Sequence, residues 1–75
     1  MAWVVGFDKD GAIDAWHGFS GKIVTRRSYA TRIAESEEAQ KVADEWNDHF
    51  RKTAQDMQAV VLSTDDAAFS DADDT

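Results

Sequence analysis

Two histidines and a group of aspartates are the residues of this chain whose types could support catalysis or metal binding. His17 follows Asp14 by three positions and precedes Ser20 by three, so a hydrolytic triad can be drawn on paper. All three would share one hairpin, which leaves no separate element to orient the base. His17 and His49 belong to no His-x-x-x-His or Cys-x-x-Cys pattern, the spacing expected of a metal site. The sequence therefore predicts a protein that is not an enzyme and needs no metal or other cofactor.

Asp8, Asp10 and Asp14 around Gly11 have the residue types of a calcium-binding loop. An EF-hand loop takes a bidentate glutamate at its twelfth position, and that position is Phe19 here. An Asp-Gly pair supplies the dihedral angles of a two-residue hairpin turn directly. A hairpin turn is therefore the favoured interpretation.

The segments that would position these residues alternate between strand and turn. AWVVGF is β-branched and aromatic, with Trp3, Val5 and Phe7 on one side. After the Asp10-Gly11 turn, AIDAWHGF resumes a strand pattern, GFSG interrupts it, and KIVTRR gives a third short strand. MQAVVLS has the composition of a last strand.

A long amphipathic helix is expected between the third and fourth strands. Ser36 is a good N-cap type, the first turn is acidic and the end is basic, as the helix dipole favours. The order β-β-β-α-β predicts an α+β fold with a small antiparallel sheet and the helix on one face. The domain would span residues 1–63, and residues 64–75 would form a disordered acidic tail. The apolar stripe of the helix is Ala39, Val42, Ala43, Trp46, Phe50, Ala54 and Met57, with Trp46 and Phe50 in the core.

The net charge of −7, from 15 acidic and eight basic residues, limits the class of partner. Residues 1–34 hold five basic and three acidic residues, so the acid is concentrated in residues 35–75. This charge disfavours direct contact with nucleic acid or an anionic membrane, and a charged partner is expected to be basic. No apolar run nears the roughly 20 residues that span a bilayer, and no signal-peptide pattern is found. We expect a soluble, cytoplasmic protein.

Arg26, Arg27 and Arg32 flank Tyr29 and have the composition of a patch for single-stranded nucleic acid. The net charge favours the alternative, in which these arginines pair with helix carboxylates or with the tail. Three roles are open for the tail itself. It would serve as a solubilising end, as a partner contact, or as a cover over the arginines, in that order of preference.

Partner-binding residues are expected in three places. The glycine-bounded stretch AWHGFSG carries large aromatic side chains beside a turn, where complete burial is hard. Exposed aromatics are the usual anchors of interfaces, although Trp16 would instead cap the core if it is buried. The helix contributes the acidic positions least interrupted by cations, and the tail contributes two aspartates and a phenylalanine. The candidates are Trp16, His17, Phe19, Asp44, Glu45, Asp48, Asp65, Asp66 and Phe69.

The segment KIVTRRSYATRIAESEEAQKVADEW resembles a pattern seen in small phage and prophage accessory proteins, over about a third of the chain. In that pattern a strand leads into an Ala-x-Arg-apolar segment, and Ser-x-Glu-Glu-Ala then opens an amphipathic helix. The first segment is matched here by Ala30, Arg32 and Ile33, and the helix start by Ser36, Glu38 and Ala39. The resemblance implies a non-enzymatic protein. Some members of this group, including anti-CRISPR proteins, block host defence complexes by binding them.

The leading hypothesis is an acidic protein that inhibits a host complex by occupying its basic, nucleic-acid-binding surface, as a nucleic-acid mimic does. The partner would be a larger host protein or ribonucleoprotein. The alternative is a structural or regulatory homodimer that pairs through a sheet edge. A third interpretation assigns the acidity to adaptation to a salty cytoplasm.

Overall fold

The computed structural model describes residues 2–70, which form a four-stranded antiparallel sheet with one long helix on one face. The elements are β1 (Trp3–Lys9), β2 (Ala12–His17), β3 (Ile23–Val24), α1 (Ser36–Lys52), β4 (Gln58–Ser63) and α2 (Ala67–Ser70), with 3-10 turns at Phe19–Gly21 and Arg27–Tyr29. The strand order is β3-β2-β1-β4, so β1 lies inside the sheet and β4 is an edge strand. The predicted α+β fold and its β-β-β-α-β order are confirmed.

The turn between β1 and β2 is the tight hairpin that its two residues predict. Lys9 pairs with Ala12, which leaves only Asp10 and Gly11 in the loop. Both have positive φ, 56° and 84°, as a type I′ turn requires. The turn therefore explains Asp10, whereas Asp8 lies in β1 and Asp14 in β2.

The first core lies between the sheet and α1. Phe7 is completely buried, and its ring makes edge contacts with Trp46 at 4.9 Å and with Phe50 at 5.5 Å between centroids. Phe50 is buried, whereas Trp46 is only partly buried at the margin of this cluster. The prediction for Phe50 is thus confirmed, and Trp46 lies at the boundary. Other buried members are Val5, Ala15, Ile33, Ala39, Ala43 and Ala59.

The ends of α1 differ from the sequence prediction. Glu35, not Ser36, occupies the N-cap position, and it makes no side-chain cap hydrogen bond. The helix stops at Lys52, and Ala54 has a φ of 55°, so the chain has left the helix before Met57. The sequence prediction extended the helix too far because Ala54 and Met57 continue the apolar spacing of the helix through the turn that leads to β4.

A second core covers the opposite face of the sheet and contains Trp16. The indole is 2% exposed and lies over Gly6, its partner in the β1–β2 ladder. A Cβ atom on Gly6 would come within 2.9 Å of the Trp16 ring, so the absence of a side chain there makes room for the indole. The hypothesis that Trp16 is an exposed partner anchor is wrong, since it caps this core with Val4, Ala30 and Phe69.

Residues 64–70 do not form a disordered tail but fold back over this second core. Phe69 lies in α2, is 4% exposed and contacts Trp16 edge-on at 5.1 Å. Arg32 lies 5.7 Å from the centre of the Phe69 ring, and Arg27 donates to the Phe69 carbonyl oxygen at 3.3 Å. The expectation of Phe69 as an exposed partner anchor is wrong, because the sheet offers it an apolar surface. The covering role, ranked last, fits this segment; residues 71–75 lie outside the described part.

The outer edge of β4 is partly closed by a side chain of α1. The Asn47 amide donates to the Ala59 carbonyl oxygen at 3.1 Å and accepts from the Ala59 N–H at 2.7 Å. It thereby satisfies the two backbone groups that a further strand would use at this position. This contact also fixes α1 against β4.

Candidate binding site

A pocket of about 310 Å³ lies where α1 crosses the end of β2. We call it the aromatic pocket. The end of β2 contributes an imidazole, the following 3-10 turn contributes a glycine with a φ of 71°, and α1 contributes four side chains spaced to share one helix face. Its lining residues are His17, Gly21, Val42, Glu45, Trp46 and His49.

A hydrogen bond between two ring side chains fixes one wall of the pocket. The Trp46 indole N–H donates to His17 Nδ1 at 2.8 Å. An imidazole nitrogen that accepts a hydrogen bond carries no proton, so neutral His17 holds its proton on Nε2. Burial lowers the pKa of His17 below its usual value, and the nearby Glu45 carboxylate offsets only part of this effect. His17 is therefore neutral near pH 7.

The lowered pKa of His17 predicts a loss of stability in mild acid. The stabilising effect of neutral His17 is fully present above its unfolded pKa of about 6.5 and is lost as the pH falls through the lower folded value. Protonation would also place an N–H on Nδ1, opposite the indole N–H. We expect the melting temperature of the wild type to fall between about pH 7 and pH 5.

His17→Asn tests this assignment, because an amide oxygen can still accept from Trp46 but does not titrate in this range. The acid-dependent loss should shrink in this variant. His49→Gln is the matched control, since it removes the other pocket imidazole but leaves the hydrogen bond from Trp46 to His17, and the acid-dependent loss should persist in it. An unchanged slope in His17→Asn would contradict the assignment.

The walls of the pocket are aromatic and its one carboxylate is Glu45. Trp46 has His17 and His49 as ring neighbours at 5.9 Å and 6.0 Å, both nearly perpendicular to the indole. Within the described chain no ion pair involves Glu45, so its charge is not neutralised by a salt bridge. The site combines an indole with an unpaired carboxylate.

Exposed apolar side chains flank the pocket. Ile23 pairs with His17 across the β2–β3 ladder, so both side chains lie on the same face of the sheet. Phe19 begins the turn that Gly21 ends and is 81% exposed, while Ile23 is 48% exposed. We call the aromatic pocket together with Phe19 and Ile23 the pocket face. Tyr29, also exposed, lies on a separate turn with Arg26 near its ring.

The helix aspartates behave differently from each other. Asp48 forms ion pairs with Arg51 and Lys52, each at 2.9 Å, and the hydrogen bonds from Lys52 and Arg51 lower its pKa. Its charge is balanced within the helix, so the expectation that Asp48 belongs to a free acidic surface is wrong. Asp44 is exposed and accepts a hydrogen bond from Gln40 at 3.0 Å. It lies about 100° around α1 from Glu45 and, unlike Glu45, does not line the pocket.

The structure brings together only part of the candidate set. His17 and Glu45 line the pocket. Phe19 begins the turn that contributes Gly21, whereas Asp44 lies on a different side of α1. Asp65 and Asp66 lie on the turn that leads into α2, whose Phe69 covers the face of the sheet opposite α1. The residues missed by sequence reasoning are Ile23, Val42, Trp46 and His49. Val42, Trp46 and His49 follow i, i+4, i+7 spacing, but the core stripe of the helix has the same period.

The pocket-lining side chains supply two imidazoles, one indole and one carboxylate. None of its six lining residues carries a hydroxyl or thiol. No group of three or more metal-ligating side chains was found within residues 2–70. In the same range, no helix is long and apolar enough to cross a bilayer.

Comparison of the chain with protein-family models, curated proteins and solved structures gives no match. Function is therefore inferred from the sequence and from the site.

Proposed function

We propose that this protein is a non-enzymatic binding protein that occupies a basic surface of a larger protein through its pocket face. The observation that carries the proposal is the unpaired Glu45 carboxylate in an aromatic pocket, flanked by the exposed Phe19 and Ile23. Aromatic anchors supply most of the energy of an interface, and complementary charge supplies rate and specificity.

The size of the protein fits this role. A standard interface buries about 800 Å² on each partner, and the protein exposes 4900 Å² in total. An interface centred on the pocket face would thus use about a sixth of its surface. The net charge of −7 would draw the protein toward a basic site.

In its finer form, the proposal is a phage-type inhibitor, of the anti-CRISPR kind, that blocks the nucleic-acid-binding surface of a host complex. The acidic charge and the sequence pattern in residues 30–39 support it. Acidic side chains would take the place of phosphates on that surface. The protein would then act in the cytoplasm of the host cell.

A homodimer paired through the sheet edge is the second candidate, and one observation bears on it. The N–H and C=O of Ala59 point to the outer edge of β4, where they bond to Asn47. Because backbone groups alternate between the two edges of a strand, the N–H and C=O of Val61 point to the same outer edge. A second β4 strand could pair there. Asn47 already occupies the neighbouring position, which leaves little edge for a stable ladder.

The test is affinity capture from a bacterial host, followed by binding kinetics with the purified captured protein. In Phe19→Ser/Ile23→Thr, loss of two exposed anchors should weaken binding at least about 100-fold. The melting temperature should hardly change, because neither side chain is buried. Association should slow steeply with added salt, and nucleic acid should compete.

Tyr29→Ser is the matched control, since Tyr29 is exposed but lies outside the pocket face. Its affinity should stay within about threefold of the wild type. Equal losses in both variants would count against the pocket face. Association that does not respond to salt, or a concentration-dependent dimer as the only complex, would favour the second candidate.

A further inference from the structure

The aromatic pocket has the features of a site for a single organic cation. Trp46 offers an indole, the best side chain for cation–π attraction. Glu45 offers a carboxylate without an ion-pair partner in the described chain. Val42 adds an apolar wall.

We infer that the aromatic pocket binds the guanidinium group of an arginine side chain presented by the partner, stacked on Trp46 and paired with Glu45. This inference rests on the proposed function and names the group by which the partner's basic surface is recognised.

Arginine fits this site better than lysine for three physical reasons. Its guanidinium is planar and stacks on an aromatic ring, it is less strongly hydrated than an ammonium group, and its fork matches a carboxylate in a bidentate pair. A lysine ammonium would keep only the charge attraction. The pocket therefore distinguishes arginine from lysine by the shape of the cationic group and not by its charge alone.

The other ionisable groups around the pocket do not prevent cation binding. His17 is neutral near pH 7, with Nδ1 engaged by Trp46. His49 forms another wall of the pocket. Lys22 and Lys41 lie one residue from Gly21 and Val42 in sequence, but neither lines the pocket. Among the lining side chains, Glu45 supplies the only permanent charge.

The volume of the pocket is sufficient for one side chain. Sites for drug-sized molecules and cofactors range from about 300 to 1,000 Å³, and this pocket, at about 310 Å³, lies at the lower end of that range. Phe19 and Ile23 lie on the turn and the strand that adjoin the pocket residues Gly21 and His17. A side chain entering from a partner surface would bring the partner's backbone against this rim.

The test uses the free protein and the peptide acetyl-Gly-Arg-Gly-amide, followed by ¹H–¹⁵N spectra. The chain has three tryptophans, so the indole N–H signals report on three sites at once. We expect a saturable shift of the Trp46 indole signal, with a Kd of about 1–10 mM, and no shift of the buried Trp16. The same peptide with citrulline, which is isosteric but neutral, should give no saturable shift, and the lysine peptide should bind at least about threefold more weakly.

Two matched variants test whether the Glu45 carboxylate contributes to binding of the arginine peptide. Glu45→Gln should weaken binding of the arginine peptide about tenfold, because it removes the carboxylate but keeps the shape. Glu38→Gln makes the same change at an exposed position in the first turn of α1 and should bind like the wild type. An equal response to citrulline, an equal loss in both variants, or no shift of Trp46 would overturn the inference.

The outcome separates this inference from the proposed function. If the arginine peptide fails to bind while Phe19→Ser/Ile23→Thr still abolishes capture of the partner, only the arginine pocket is wrong. If the arginine peptide binds but Phe19→Ser/Ile23→Thr captures the partner as well as the wild type does, the arginine-binding pocket is supported and the proposed function is wrong.

Discussion

Replacing Phe69 by alanine is expected to lower the free energy of unfolding by about 3 kcal/mol. The ring is 4% exposed and packs edge-on against Trp16, so its removal leaves a cavity over the second core. The whole stability of a chain this size is about 4–11 kcal/mol. One residue of an acidic segment would therefore carry a large share of it.

Urea unfolding of Phe69→Ala measures this effect, and truncation after residue 64 should produce a similar loss. Asp65→Asn is the control, because its side chain is exposed and only its backbone N–H is bonded, to Ser63 Oγ. That change should stay within about 0.5 kcal/mol. A truncated protein as stable as the wild type would show that the segment does not dock on Trp16.

Phe50→Ala is expected to cost about 3–5 kcal/mol, a large share of the stability of the domain. Phe50 is 3% exposed and packs on the completely buried Phe7. Trp46→Phe should cost much less, about 1 kcal/mol, since it keeps a ring against Phe7 and loses chiefly the hydrogen bond to His17.

Chemical unfolding of both variants, monitored by circular dichroism, compares the two sites directly. The contrast distinguishes a core residue from one that belongs to the margin of the core and to the pocket. Equal losses for the two variants would place Trp46 in the core, as its helical spacing alone predicts.

The sequence predicts the elements well because each has a local cause. The Asp10-Gly11 turn, the apolar stripe of α1 and the alternation of β1 depend on neighbouring residues only. The tail is different, because Phe69 is surrounded by aspartates and its partner Trp16 lies more than 50 positions away. Local composition predicts disorder there, and the long-range contact prevents it.

The site was harder to predict than the fold. His17, Phe19 and Glu45 stand out by type and exposure, and all three lie in or beside the pocket. Trp46 and His49 share their spacing with the core residues, and periodicity does not distinguish a partly exposed wall from a buried one. Whether the charge of Asp48 is neutralised depends on the rotamers of Arg51 and Lys52, and the sequence does not determine these rotamers.

The position of β1 in the sheet has a consequence for how fast the chain folds. β1 is the first strand in sequence, yet one of its two neighbours is β4, the last. Asp8 already pairs with Gln58, so closing this ladder orders most of the chain at once. Loop closure over such a distance has a high entropic cost, and topologies with distant pairings fold slowly for their size. The β1–β2 hairpin can form early, but the side chains of Val5 and Phe7 remain exposed to solvent until α1 and β4 pack against β1.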